Sequence, residues 1–291
     1  MRRILVPVDF SEASEKALSF AINTFQDETV EIVLLHVVTM PATVGSEYTM
    51  VNAQLIQELL TEMLENARSR MEGLQEKYER PSVKFTSKVE CGNLSHWFKY
   101  EITKLNPFVI IMGTTGASGV KEVLIGSNTE RAIRYSKCPV IAVPKEFDVR
   151  PIKDIVVAYD QESIPAELLE EVKDLQQITD SRVHFLWVNT PHELDNEEQV
   201  QENMAVLTSQ TSFKNFTVNV RRNFNPYDGI INFAHEINAD MIAMFTHGRT
   251  GLAHLFFHSL TEKVANHSDI PLWSFNLKSK PQKKEKEQLV K

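Results

Sequence analysis

Apolar positions in the first half of the chain form short continuous runs that alternate with longer amphipathic stretches. Short apolar runs are typical of strands buried on both faces of a sheet. Between them, apolar positions recur with helical spacing, and Ser11 stands where it can cap the first helix. Strands that alternate with helices predict a parallel sheet with helices on both faces. The predicted strands cover residues 4–9, 30–38, 83–89, 108–113 and 140–143, and the later helices cover 52–78, 94–105 and 127–136.

The same order of elements returns in the second half, which indicates an internal duplication. Strands one, two, four and five recur at residues 152–160, 184–189, 239–245 and 270–275. From the third strand onward the halves are expected to align without gaps, which places a helix start at Ser259. The predicted fold class is α/β, with two tandem, doubly wound, parallel five-stranded sheets of the Rossmann-like type. The expected domains are residues 1–147 and 151–277, followed by a lysine-rich tail, 278–291, that is expected to be disordered.

Glycine is concentrated between the fourth strand and the following helix. The chain has ten glycines, and four of them lie at Gly113, Gly116, Gly119 and Gly126. A strand, a glycine loop and a helix start make an anion site, because the backbone can approach a phosphate closely and the helix dipole favours negative charge. The same glycines would also suit a plain tight turn. The spacing is neither that of a P-loop nor that of the dinucleotide fingerprint.

The spacing Gly-x-x-Gly-x9-Gly-Ser, from Gly113 to Ser127, resembles the nucleotide motif of the universal stress protein family. Residues 126–130 and the run 138–144 also fit that family. Both halves resemble its domains, so the resemblance covers nearly the whole chain. It implies that the two halves pair through their last strands about an internal pseudo-two-fold axis.

The resemblance also implies that the first half binds ATP or another adenine nucleotide. In a parallel sheet, ligands bind beyond the carboxyl ends of the strands where strand order reverses, here between strands one and four. Asp9 would face the ribose or a Mg²⁺ ion near the phosphates. Asp9 capping the next helix, and Val37 and Met112 as plain core residues, remain open alternatives. Besides Asp9, the resemblance implies two groups of nucleotide-binding residues. Those around the adenine are Pro7, Val8, Val37 and, beside it, Met112. Those around the phosphates are Gly113, Thr115, Gly116, Gly126, Ser127 and Asn128.

The second half departs from the motif at two of its three glycines. Phe245 stands where the first half has Gly113, and His258 stands where it has Gly126. Both add bulk where a phosphate would need room, so the second half is predicted to keep the fold and to lose ordinary ATP binding. His254 and His258 have the spacing of a zinc pair on a helix. Their alignment with the glycine loop places them in a loop instead, so no zinc site is predicted.

Composition and charge argue against several functional classes. A net charge of −8 argues against nucleic acid or an anionic membrane surface as the main partner. The two cysteines, Cys91 and Cys138, lack metal spacing, and no apolar stretch approaches transmembrane length, so a cytoplasmic protein is expected. The leading hypothesis is an ATP-binding stress-response module with no assigned catalytic residue. A protein-binding scaffold that binds no nucleotide and a slow ATP hydrolase are the alternatives, and the formation of a homodimer is left open.

Overall fold

The computed structural model of the protein describes most of the chain. Three of the predicted phosphate-loop residues, Thr115, Gly116 and Gly126, lie outside the described residues, as does the predicted tail, 278–291. The described residues are 1–39, 53–114, 127–159, 166–191, 197–210, 213–246 and 252–276.

The described residues of the first half form five strands and four helices in strict alternation, as the apolar pattern predicts. They are β1 (Arg2–Pro7), α1 (Glu12–Thr24), β2 (Val30–Val38), α2 (Ala53–Lys77), β3 (Val83–Cys91), α3 (Leu94–Leu105), β4 (Val109–Thr114), α4 (Ser127–Tyr135) and β5 (Val140–Pro144). Side chains cap two of the helices: Ser11 accepts from the backbone N–H of Ser14 at the start of α1, and Asn93 accepts from that of His96 at the start of α3.

The described elements of the second half repeat this order. They are β6 (Asp154–Tyr159), α5 (Ala166–Thr179), β7 (Arg182–Asn189), α6 (Glu197–Gln210), β8 (Phe216–Arg222), α7 (Pro226–Glu236), β9 (Met241–Thr246), α8 (Leu252–His267) and β10 (Leu272–Asn276). The long helix of the first half, α2, has 25 residues, whereas its counterpart α6 has 14.

In the described part of the chain, ten strands form one sheet in the order β3-β2-β1-β4-β5-β10-β9-β6-β7-β8. The pairs within each half are parallel, and the halves meet where β5 and β10 pair antiparallel, with Ile141 opposite Trp273. The predicted pairing of two five-stranded sheets through their last strands is therefore confirmed. Because Ile141 and Trp273 are both buried, the junction between the halves is continuous core.

Helices cover both faces of the sheet and enclose two apolar layers. One layer lies beneath α1, α2, α5 and α6 and includes Val8, Phe20 and Phe185. The other lies beneath α3, α4, α7 and α8 and includes Val37 and Met112. Buried strand side chains point alternately to the two layers, which is why the strands appear in the sequence as continuous apolar runs.

Two details of the predicted alignment are wrong. Helix α8 begins at Leu252, seven residues before Ser259, so His254 and His258 belong to a helix and not to a loop. Residues 252–258 contain neither glycine nor proline, and His258 replaces the glycine that precedes α4, so the helix can extend toward its N-terminus. The halves are also not gapless after the third strand, because strand pairing shows that Phe224 is one extra residue between β8 and α7.

Candidate functional site

Strand order reverses between β1 and β4, as predicted for the ligand crevice. Strand β1 pairs with β2 on one side and with β4 on the other, with Ile4 opposite Val109. The carboxyl ends of both strands therefore lie at one edge of the sheet, where parallel α/β folds bind ligands. Pro7 ends β1, and Met112 and Gly113 lie at the end of β4, so the structure brings these predicted residues to that edge.

The predicted adenine contacts do not all face the same way. Val37 and Met112 are buried in the layer beneath α3 and α4, whereas Val8 is buried in the layer beneath α1. Its backbone is tied into the sheet, because the N–H of Val8 donates to the carbonyl of Leu35 at 2.8 Å. A ligand on the α3 and α4 side can therefore meet Val37 and Met112 from the edge, but it can reach only the backbone of Val8.

Asp9 is exposed at the end of β1 and is held by the residue that caps α1. Its Oδ1 accepts from the backbone N–H of Ser11 at 3.0 Å and from the Ser11 hydroxyl at 2.5 Å. Partial burial is the largest single influence on the pKa of Asp9, and it raises that pKa. The hydrogen bonds taken together have the larger effect, so the pKa of Asp9 lies below its ordinary value. Asp9 is thus a fixed carboxylate at neutral pH, while Ser11 itself caps α1.

A single carboxylate of this kind suits a hydroxyl group or a phosphate-bound cation. In the described residues no group of three or more histidine, cysteine, aspartate or glutamate side chains could hold a metal ion. Mg²⁺ usually takes one or two protein carboxylates together with phosphate oxygens and water. Asp9 fits that limited role, in which the nucleotide supplies most of the ligands.

Gly113 has a packing role that sequence reasoning missed. A Cβ built on Gly113 would lie 2.2 Å from the carbonyl oxygen of Ala13 in the first turn of α1. The glycine therefore lets α1 lie directly against the end of β4. On the other side of the strand end, the hydroxyl of Thr129 donates to the carbonyl of Gly113 at 3.2 Å and ties the first turn of α4 to the same point.

Helices α3 and α4 begin at a common cavity of about 500 Å³, which is open to solvent. Its walls include Thr39, Asn93, Ser95, Asn128 and Arg131, and none of the described residues that line it is a carboxylate. The Arg131 guanidinium donates to the Ser95 hydroxyl at 2.9 Å and so bridges the two helices. Two helix starts and one arginine favour an anion here. Asn128 was predicted from sequence, but Ser95 and Arg131 were not, because only the fold brings them together.

In the second half, three aromatic residues occupy equivalent strand-end positions. Ile155 pairs with Met241 as Ile4 pairs with Val109, so Tyr159 corresponds to Val8 and Phe245 to Gly113. By the pairing of β6 with β7, Trp187 corresponds to His36. Tyr159, Trp187 and Phe245 are only 6%, 1% and 1% exposed and belong to the core beneath α5 and α6.

Phe245 was predicted from sequence as a departure, whereas Tyr159 and Trp187 were not. The sequence shows aromatic residues at these strand ends, but only the strand pairing places them at the positions of Val8 and His36. The three rings therefore enlarge the core of the second half beneath α5 and α6, whereas in the first half α1 itself lies against Gly113. Phe245 thus points away from the face that corresponds to the α3 and α4 cavity, so the prediction that its ring adds bulk where a phosphate would need room is wrong in its geometry. Asp160 and Gly248, which keep the motif in sequence, lie outside the described residues.

Comparison with known proteins gives a consistent result for both halves. The family model described as "Universal stress protein family" matches residues 1–144 and again residues 151–275. The chain belongs to the universal stress protein family. The tandem arrangement predicted from sequence is therefore confirmed, and membership makes the protein a stress-response protein.

Individual relatives agree with this assignment. The universal stress protein MJ0531 of Methanocaldococcus jannaschii is 31% identical over 144 residues, which are 50% of this chain and 82% of that protein. The universal stress protein YxiE of Bacillus subtilis is 28% identical over 146 residues, 48% of this chain and 97% of that protein. A universal stress protein of Archaeoglobus fulgidus shares the fold, with a TM-score of 0.73, 23% identity, and 94% and 98% of the two chains covered.

Proposed function

We propose that the first half binds an adenine nucleotide, ATP above all, in the crevice between β1 and β4, and that binding makes the protein a nucleotide-sensing module of the stress response. The observation that carries this proposal is the meeting of α3 and α4 at one cavity without a described carboxylate, bridged by Arg131 and Ser95. Asp9 stands at the end of the neighbouring strand as a fixed negative group for a ribose or a cation. The family motif in the first half supports the same ligand.

In the proposed arrangement, the charged and the apolar parts of the nucleotide bind at different places in the crevice. The phosphates belong at the start of α4, where Ser127, Asn128 and Arg131 follow the predicted glycine loop, because that end of the helix favours negative charge. The base belongs against Val37 and Met112, which present apolar surface on the same face of the sheet. Mg²⁺, if it accompanies the phosphates, would take Asp9 as its protein ligand.

The second half serves in this proposal as the structural partner of the first. Its buried ring at Phe245 replaces Gly113, and β10 completes the sheet by pairing with β5. The protein would then carry one nucleotide in each chain. The predicted domain limits and a cytoplasmic location remain predictions, and no helix in the described part of the chain is both long and apolar enough to span a membrane.

A matched pair of substitutions tests which half binds the nucleotide. Gly116 and Gly248 are equivalent residues of the two glycine loops. Equilibrium titration with labelled ATP should give saturable binding to the wild-type chain and to Gly248→Trp, and binding at least about tenfold weaker, or about 1.4 kcal/mol, to Gly116→Trp. Absence of saturable binding to the folded wild-type chain, or equal affinity of the two variants, would refute the proposal.

A scaffold function is the second candidate, and the filled second half favours it. If the aromatic core of that half has only a structural purpose, the tandem fold offers mainly surface to a protein partner. A purified wild-type chain that binds no adenine nucleotide, yet retains a specific protein in pull-down, would support the scaffold and refute nucleotide sensing.

A further inference from the structure

The sheet ends in two edge strands, β3 and β8, each of which pairs with a single strand in the described part of the chain. An open row of N–H and C=O groups can pair with another chain, and natural proteins protect such edges with charged side chains, lysine above all. Strand β3 is protected in this way. It carries Lys84, Lys88 and Glu90 along its length, and Arg80 forms an antiparallel bridge with Val83 at its start.

Strand β8 lacks this protection over most of its length. Residues 216–220 are Phe, Thr, Val, Asn and Val, five consecutive uncharged positions without proline or glycine. Strand pairing places Asn219 where β3 has Lys88. Just beyond the end of β8, Phe224 is 89% exposed, the largest exposed fraction among the described large apolar side chains. The edge of the second half therefore offers uncharged backbone beside an exposed ring.

The direction of the backbone groups along β8 follows from its pairing with β7. The N–H of Val183 donates to the carbonyl of Asn215, and the N–H of Asn223 donates to the carbonyl of Asn189, both at 3.1 Å. In a parallel ladder alternate residues bond to the neighbouring strand, so the even-numbered residues of β8 direct their N–H and C=O groups outward. Among them, the Val220 carbonyl accepts a long bond of 3.4 Å from the Arg221 guanidinium, which a partner N–H can replace.

We propose that the outer edge of β8 pairs antiparallel with β8 of a second copy of this chain, with the two Asn219 residues opposite each other on a two-fold axis. Asn219 is the midpoint of Phe216–Arg222, so this register pairs all seven residues of the strand. It places outward-facing residues opposite outward-facing residues, since Val218 meets Val220 on each side of the axis. A closed two-fold dimer forms, because both copies use the same surface.

The charges of the strand fit this register. Arg221 comes opposite Thr217, and Arg222 comes opposite Phe216, so no two cations of the strand face each other directly. Moving the centre one residue toward the N-terminus would place Arg222 opposite Lys214, which is an unfavourable pair of like charges. The proposed register is thus the one that joins full pairing with charge compatibility.

The exposed ring of Phe224 gains a contact in the same dimer. Lys214 and Phe224 lie equally far from Asn219 along the chain, so the ring of one copy comes level with the lysine of the other. An ammonium group beside an aromatic face is attracted to it. The interface would therefore cover a ring that the single chain leaves in solvent. This proposal does not depend on nucleotide binding by the first half.

Disulfide trapping of the full chain tests the register. Residues opposite each other in a pair without mutual hydrogen bonds have Cα atoms about 4.5 Å apart, which is within disulfide range. Asn219→Cys should therefore form a covalent dimer in oxidised glutathione, seen on a non-reducing gel. Thr217→Cys is the matched control on the same face of β8. Its two copies would lie about 13 Å apart, four residues out of register, and should not cross-link.

Sedimentation velocity over a hundredfold range of protein concentration, about two decades, tests the association itself. The wild type should pass from monomer to dimer as concentration rises. Asn219→Lys, which copies the edge of the first half, should raise the dimer dissociation constant at least about tenfold, because two ammonium groups would face each other. Ser87→Lys, at an exposed position of β3, is the matched control and should associate as the wild type does.

Three results would overturn the proposal. They are a folded wild type that stays monomeric at every concentration, equal cross-linking of Asn219→Cys and Thr217→Cys, and an association that Ser87→Lys weakens but Asn219→Lys does not. The last result would place the interface at β3. If Asn219→Lys fails to fold, as judged by circular dichroism, the comparison of the two cysteine variants decides.

Discussion

Replacing Gly113 by alanine should destabilise the protein through a collision with the backbone of α1. The added Cβ would lie 2.2 Å from the carbonyl oxygen of Ala13 and 2.5 Å from its carbonyl carbon. Ordinary contact begins near 3.4 Å, so α1 and β4 would have to separate by roughly 1.2 Å. No side-chain rotation relieves this collision, because it joins the new Cβ to the main-chain carbonyl of Ala13 and neither position depends on a rotamer.

The expected cost is about 2 to 3 kcal/mol of unfolding free energy, the upper part of the range for overpacked cores. Two features resist the movement of α1. Ser11 caps its first turn, and Phe20 on the same helix is completely buried in the core. Ala13→Gly should not rescue Gly113→Ala, since the closest clash is with main-chain atoms.

Gly73 is the matched control. It lies within α2, and a Cβ added there would meet nothing within 4 Å. Gly73→Ala should therefore raise stability by about 0.5 to 1 kcal/mol, the usual preference of a helix for alanine over glycine. Urea unfolding followed by circular dichroism should give midpoints that move in opposite directions for the two variants. Equal midpoints for Gly113→Ala and the wild type would refute the argument that close packing requires this glycine.

Three further substitutions test other parts of the account by urea unfolding. Lys88→Met should lower the unfolding free energy by about 3 to 5 kcal/mol, because it leaves the buried Glu101 carboxylate without its ion-pair partner. Adding Glu101→Leu should recover most of that loss. A double variant whose loss equals the sum of the two single losses would contradict this. Tyr159→Phe should be neutral or stabilise the fold by about 1 kcal/mol, since the Tyr159 hydroxyl is buried and no described residue is its hydrogen-bond partner. A clear loss of stability would show that the hydroxyl has a partner. Ser11→Ala should cost about 1 kcal/mol as a lost helix cap. Because the pKa of Asp9 is lowered in the folded state, its carboxylate stabilises the fold above the unfolded pKa and loses that contribution as pH falls through the folded pKa. The difference in unfolding free energy between the wild type and Ser11→Ala should therefore shrink from pH 7 to pH 3. A difference that grows toward pH 3 would contradict this role of Asp9.

The sequence predicts the architecture well because its signals are local and repeated. Buried parallel strands leave apolar runs, and the duplication shows each run twice, so the order of strands and their pairing through β5 and β10 follow from pattern and resemblance together. Ser11 was identified as the cap of α1 because capping depends on residues only a few positions apart.

The details that sequence reasoning missed depend on contacts between distant segments. Gly113 contacts Ala13, and Arg131 contacts Ser95, only after the sheet has formed. No local sequence pattern therefore predicts these two contacts. Alignment with α4 predicts that α8 starts at Ser259, but the helix-compatible residues from Leu252 onward extend the helix toward its N-terminus. Phe224, the extra residue before α7, is 89% exposed and leaves the apolar pattern unchanged, so strand register alone reveals it.

Native mass spectrometry of the intact chain in the presence of ATP tests the central claim most directly. The account predicts one nucleotide bound per chain, and its loss in Gly116→Trp with retention in Gly248→Trp. Two nucleotides per chain, or a single nucleotide that is lost only in Gly248→Trp, would show that the filled second half binds the ligand and would contradict the account.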